Sequence, residues 1–242
     1  AISEVIGLKQ NSNGKTGVVT VRTDGFNQDG ELVLSYVRWV MVNKRDANAP
    51  VADAPPITPK PVVATPDLVL PPGLDFSGYD FALAGSPHAF EDYAVGEKID
   101  HVDGMTVEEA EHQLATRLYQ NTAKVHFDAL AQKESRFGKR LIYGGVTISL
   151  ARALAFNGLA NAQLMLAING GRHVNPLFAG DTLYAWSEVL AAEDLGDVGA
   201  LRLRLVAVKN RSATDFPFKN EAGEYDPSVV LDFDYWAAIP KR

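Results

Sequence analysis

The spacing of hydrophobic side chains changes period several times along the chain. Val107, Ala110, Leu114 and Leu118 recur at helical spacing with charges between them, which predicts an amphipathic helix. Thr106-Val107-Glu108-Glu109 reads as a capping box at its start, with Thr106 as N-cap and Glu109 at the third helical position. From Gly144 to Asn157 the pattern is apolar nearly all round (Val146, Ile148, Leu150, Ala151, Ala153, Leu154, Phe156), so this helix is expected to be buried on most sides. Gly158 is placed to cap its C-terminus. A short strand is predicted near Lys98–Val102, and longer ones over Leu164–Asn169, Thr182–Leu190, Leu201–Val208 and Val229–Ala238. A buried helix followed by long antiparallel strands implies an α+β fold whose sheet wraps the helix.

The pattern breaks in a proline-rich stretch. Eight of the 13 prolines fall between Pro50 and Pro72, where missing backbone donors favour an extended, semi-rigid spacer. Residues 46–84 are therefore read as a linker between a first segment, 1–45, and a complete unit, 85–242. The flanking segments share ordered landmarks. Ser3-Glu4-Val5 returns as Ser187-Glu188-Val189, and the alternating Val18–Arg22 returns in character as Leu201–Leu205. Trp39 followed by Lys44-Arg45 returns as Trp236 followed by Lys241-Arg242, at the same spacing. The second copy carries a net insertion of 13 residues, placed most simply at Asn210–Tyr225, a polar and turn-rich region. On this reading residues 1–45 are the closing strands of a unit like 85–242. Roughly a hundred residues are then expected before Ala1, by analogy with the length of the second unit.

Composition narrows the class. A chain of 242 residues with 46% hydrophobic content can bury a sizeable core. A net charge of -7 argues against a general nucleic-acid binder, since no basic excess exists to neutralise phosphates. No cysteine is present, which removes disulfides, thiolate catalysis and cysteine metal sites. No apolar run is long enough to span a membrane, and the opening Ala1–Val5 does not read as a signal peptide, so a cytoplasmic setting is expected. Metal-ligand spacing and a phosphate-cradling glycine fingerprint are both missing.

Two landmarks carry chemistry. One is Tyr119–Asp128, which delivers His126, an imidazole and so a candidate acid or base. The other is Tyr143-Gly144-Gly145-Val146-Thr147, where glycines open the apolar helix. A helix N-terminus carries about half a positive charge and unpaired N–H groups, and glycine leaves the approach to them clear. Such a pair can move a proton and hold an oxygen that gains charge. The glycines also permit tight entry of a buried helix, and Tyr143 either packs or hydrogen-bonds a substrate. Arg172, His173 and Asn175 precede the Phe178–Leu183 strand entry, either as a solvated loop or as groups that meet a substrate's carboxylate or phosphates. His88, His101 and His112 are assigned to surface or core roles.

Four ordered motifs resemble the MaoC-like hydratases, hotdog-fold enzymes related to (R)-specific enoyl-CoA hydratases. They are Phe90–Gly96, His126-Phe127-Asp128, Tyr143-Gly144-Gly145 and Phe178–Leu183. Gly104–His112, Ser149–Gln163 and Leu231–Ala237 look most like the mesaconyl-CoA hydratase (β-methylmalyl-CoA dehydratase) branch, whose members are double-hotdog proteins. The resemblance implies a double hotdog whose first unit is incomplete in this chain, and reversible addition of water across the double bond of an enoyl-CoA thioester. It implies no cofactor beyond the substrate's own coenzyme A, with intrachain pairing of two hotdog units and a homo-oligomer. Catalytic roles then fall to His126, Asn121 and Gly144, and substrate contacts to Tyr143, Gly145, His173 and Asn175. One departure matters. The family pattern places Asp five residues before the catalytic His, followed by Asn and Pro, whereas this chain has Asn121, Ala123 and Lys124 there. An amide is no base at neutral pH, so Asn121 is expected to orient water, or another carboxylate, with Asp128 nearest in sequence, replaces the missing one. The competing functions are a hotdog acyl-CoA thioesterase and a non-catalytic unit that supports an active half.

Overall fold

The structure is a computed structural model that describes every residue except 52–53, 56–59 and 163. It divides into two compact units, Ala1–Pro61 and Val62–Arg242. The proline-rich stretch is shared between them. Leu8 N–H donates to the Ala54 carbonyl within the first unit. In the second, Val63 N–H donates to Asn169 Oδ1, its carbonyl accepts the Trp236 indole N–H, and Tyr79 Oη donates to Asn161 Oδ1.

The first unit is a three-stranded antiparallel meander of β1 (Ile2–Gln10), β2 (Thr16–Phe26) and β3 (Leu32–Asn43). In the second unit, β4 (Lys98–Asp100) and β5 (Met105–Thr106) precede α1 (Glu109–Leu118), α2 (Lys124–Phe127) and α3 (Ala129–Gln132). There follow α4 (Gly144–Leu154), α5 (Phe156–Leu159), β6 (Leu164–His173), β7 (Thr182–Asp194), β8 (Val198–Lys209) and β9 (Val229–Pro240). The sheet runs β4-β7-β8-β9-β6, antiparallel throughout, with β5 also paired to β7. Helix α4 lies on one face of this sheet. Val146, Ala151 and Leu154 join Leu183, Leu203, Leu205, Phe233 and Tyr235 in a single buried cluster. The opposite face is covered by the excursion between β8 and β9. Its Phe216, Phe218 and Tyr225 pack on Trp186, Val206, Val208 and Val229, and the Trp186 indole donates to the Pro217 carbonyl.

Register makes the internal repeat concrete. Glu4 pairs with Arg22 and Glu188 with Arg204, and both pairs form ion pairs. A bulge follows Val5 in β1 and Val189 in β7. Trp39 stands opposite Thr20 and Trp236 opposite Arg202. The net insertion is therefore two changes: the first turn of the second copy is two residues shorter, and the second connection is fifteen longer.

Several local expectations shift. The strands outrun their predicted ends, β6 reaching His173 and β7 reaching Asp194, because ladder pairing continues past the apolar runs. The capping box sits two residues later than expected, with Glu108 as N-cap and its N–H donated to Glu111 Oε1 at 2.9 Å. Thr106 is unavailable because β5 pairs it with Thr182. The expected apolar face of α1 points outward, leaving Leu114 62% and Leu118 68% exposed, while His112 and Thr116 are buried. Both buried polar side chains find partners, Thr116 Oγ1 donating to the His112 carbonyl and the His112 imidazole accepting a backbone N–H from outside the helix, so their burial costs little. The long apolar helix ends at Leu154 rather than Asn157. Asn157 leaves helical geometry and Gly158 takes φ +102°, a left-handed turn that glycine accommodates freely.

Candidate active site

The amino end of α4 is the centre of the site. Tyr143 is its extended N-cap and makes no side-chain cap, and the first turn holds no acidic residue. Among the described residues, no acceptor engages the N–H groups of Gly144 or Gly145. The helix therefore presents two free donors and its positive end with no internal carboxylate in competition. Entry to the helix is held from α1, where the buried His112 accepts the Tyr143 N–H on Nε2 at 3.0 Å. That bond needs an unprotonated Nε2. Burial, and then the nearby His126, push the His112 pKa below its ordinary value, which keeps the nitrogen free.

His126 stands beside this helix end. Helix α2 is one turn long, and its His126 Nδ1 donates to the Leu141 carbonyl at 3.0 Å. The carbonyl can only accept, so Nδ1 carries the hydrogen and Nε2 is the ring nitrogen left outside this bond. Gln113 of α1 steadies the same segment by donating to the His126 carbonyl at 2.9 Å. The His126 ring lies 5.6 Å from the Tyr143 ring and 6.4 Å from the His112 ring, centre to centre. The cluster is drawn together by a short connecting run, with Leu141 N–H bonded to the Val125 carbonyl and Ile142 N–H to the Leu177 carbonyl.

His173 closes the other side. It ends β6, and its Nε2 lies 2.4 Å from the point a Cβ on Gly144 would occupy. Only glycine at 144 lets that imidazole sit against the helix start. Burial, then the charge of His126, lower the His173 pKa. A Cβ on Gly145 would fall 2.8 Å from the Tyr143 ring, so the second glycine is bound by the same crowding.

Of the residues singled out from sequence, His126, Tyr143, Gly144, Gly145 and His173 thus converge. Two others make hydrogen bonds to backbone groups. Asn121 Oδ1 accepts the Ala123 N–H in the turn after α1, and Asn175 Nδ2 donates to the Val229 carbonyl. Asp128, the nearest carboxylate in sequence, caps α3 by accepting the Ala131 N–H. Among the described residues no carboxylate hydrogen-bonds His112, His126 or His173, and no group of three or more His, Asp or Glu is arranged to hold a metal. His112 has the core role allowed for it, but its hold on the Tyr143 amide went unforeseen because its helix face was read from Leu114 and Leu118. The available signal was its place opposite those leucines. His101 does have the core role expected of it. It is fully buried and spans the Asn157 carbonyl at 2.7 Å and Ser187 Oγ at 2.8 Å.

A sheet packed on a glycine-started helix, with an imidazole at the helix's amino end, defines the hotdog class of MaoC-like dehydratases and hydratases. The match to solved structures agrees. A MaoC domain protein dehydratase from Chloroflexus aurantiacus superposes with a TM-score of 0.94 at 57% identity, covering 99% of this chain and 69% of that one. A Mycobacterium tuberculosis protein described as having a double hotdog fold superposes with a TM-score of 0.68 at 27% identity, over 97% of this chain and 67% of that one. The chain belongs to the mesaconyl-CoA hydratase family, whose sequence profile matches residues 2–217. It is 63% identical to the mesaconyl-CoA hydratase of Cereibacter sphaeroides, over 100% of this chain and 70% of the relative. It is 58% identical to the β-methylmalyl-CoA dehydratase of Chloroflexus aurantiacus, over 99% of this chain and 69% of the relative.

Proposed function

We propose that the protein is a hydro-lyase that adds water to, or removes it from, the double bond of a CoA thioester, with mesaconyl-CoA and β-methylmalyl-CoA as the pair interconverted. The observation that carries this reading is the pair of unclaimed glycine amides at the start of α4 with His126 beside them, in a chain 63% identical to a mesaconyl-CoA hydratase along its whole length. Hydration of a conjugated thioester builds negative charge on the thioester oxygen. Donors on Gly144 and Gly145 stabilise that charge, and each such donor contributes about 3–4 kcal/mol to the transition state. His126 exchanges a proton with the reacting carbons or water. Asn121, with its Oδ1 committed to the Ala123 amide, keeps two N–H donors and steadies water rather than activating it. Tyr143 lines the site, and His173 reaches the substrate beside Gly144. The reaction requires no group beyond the substrate's own coenzyme A.

Among the described residues no helix is long and apolar enough to cross a membrane. A cytoplasmic setting and a homo-oligomer of paired hotdog units complete the proposal. The test is a spectrophotometric assay in which the purified chain is mixed with mesaconyl-CoA. Loss of enoyl-thioester absorbance with no release of free thiol is expected. Free thiol would identify a thioesterase, and an unchanged spectrum would identify a non-catalytic unit. His126→Ala should lower turnover by about 10²–10⁴-fold.

A further inference from the structure

The family pattern supplies a carboxylate where this chain has Asn121, yet addition of water needs two proton movements. One proton leaves water and one arrives at the carbon next to the carbonyl. Among the described residues, two imidazoles stand at the start of α4, His173 against Gly144 and His126 beside the Tyr143 ring. His126 approaches from α2, and His173 from the end of β6, with its Nε2 2.4 Å from where a Gly144 Cβ would be. Carboxylates near in sequence are engaged in other tasks, Asp128 as a helix cap and Glu109 in an ion pair with Arg140 at 2.5 Å.

Building on the enoyl-thioester reading above, we infer that His173 is a second catalytic residue, the base that takes the place of the missing carboxylate, with His126 as the acid. His126 is suited to carry the proton because its Nδ1–H is already held by the Leu141 carbonyl, which accepts equally well from an imidazolium. His173 is exposed as a residue at the end of β6 while its ring is desolvated where it packs on the helix start, and that desolvation, then the charge of His126, favours the neutral form needed in a base. In the forward step, water oxygen bonds to the β-carbon and one of its protons passes to His173. The π electrons of the double bond move to the α-carbon and on to the thioester oxygen, held by the Gly144 and Gly145 amides. The α-carbon then takes the proton from His126 Nε2. Water is added, no electron is exchanged, and one proton has moved from His126 to His173, to be returned through solvent. The ionisable groups on the elements around the pair are His112, Tyr143, the Glu109–Arg140 ion pair, and Arg172 and Asp232 at the β6–β9 edge.

The experiment is the pH–rate profile of mesaconyl-CoA hydration by the wild-type chain, by His173→Gln and by His173→Gly with and without free imidazole. In the wild type the acid limb, set by His173, should lie below the ordinary imidazole value of about 6.5, whereas a carboxylate base would put it near pH 4. His173→Gln should lose about 10²–10⁴-fold in kcat with the acid limb gone, and added imidazole should recover turnover in His173→Gly. A wild-type acid limb near pH 4, or a His173→Gln variant with wild-type kcat and profile, overturns the pair while leaving the hydratase reading intact. A kcat loss with the acid limb retained and no rescue assigns His173 to packing and also overturns it. A wild-type chain that leaves the enoyl group untouched overturns both.

Discussion

The strands β1–β3 and β7–β9 are the same meander in two environments. Both have a bulge after the valine of a Ser-Glu-Val run, a cross-strand Glu–Arg ion pair next to it, and a tryptophan at the same register of the third strand. Their burial differs sharply. Every residue of β3 is exposed, while all but two of β9 are buried. The second copy is covered on one face by α4 and on the other by the β8–β9 excursion, and the first unit has neither layer among its described residues. Register is set by neighbouring strands, through ladder pairing and side-chain alternation. Burial is set by whatever packs on the faces, so identical strand geometry carries very different stability.

The tryptophans break the comparison most forcefully. Trp236 is 3% exposed and its indole donates to the Val63 carbonyl, whereas Trp39 is 63% exposed. Trp236→Ala should cost about 3–5 kcal/mol and Trp39→Ala no more than about 0.5, read by amide hydrogen exchange within each unit. Equal losses would show that β3 is covered as fully as β9. The ion pairs are a finer probe. Arg204 meets Glu188 at 3.0 Å and lies 3.7 Å from Asp232 in a partly shielded position, and its buried Nε has no hydrogen-bond partner. Arg22–Glu4 is open to water. Urea titrations should give about 1–2 kcal/mol for Arg204→Ala and under about 1 kcal/mol for Arg22→Ala.

Acidification gives the gentlest contrast. All five histidines, at 88, 101, 112, 126 and 173, lie in the second unit. Burial lowers the pKa of His101, His112 and His173. A histidine with a depressed folded pKa binds fewer protons folded than unfolded. Its stabilisation is present above the unfolded value of about 6.5 and fades as pH falls below it. Hydrogen exchange between pH 7.5 and 5.5, corrected for its intrinsic pH dependence, should therefore show the second unit loosening while β1–β3 holds steady. Loosening confined to the first unit would contradict this sign.

Much of this architecture was legible beforehand. Period-two patterning or β-rich composition marked the last three long strands of the second unit, the all-round apolar run located α4, and Gly144-Gly145 marked where it starts. The Ser-Glu-Val and tryptophan landmarks exposed the repeat, whose register the sheets then bore out. Illegible were the features that depend on which distant segment reaches a surface first. Leu114 and Leu118 made the wrong face of α1 look like its core face. The buried face was chosen by His112, thirty-one residues before the Tyr143 amide it meets.

Local spacing is a property of the chain because a strand or helix places side chains at fixed angles wherever it sits. Strand periods and the helix start therefore followed from residue order alone, and ordered motifs carried the resemblance to hydratases that singled out His126. The meeting of His112, His126 and His173 at one helix end needed the closed fold. Their hydrogen bonds and desolvation arise between groups that only packing brings within a few ångströms of one another.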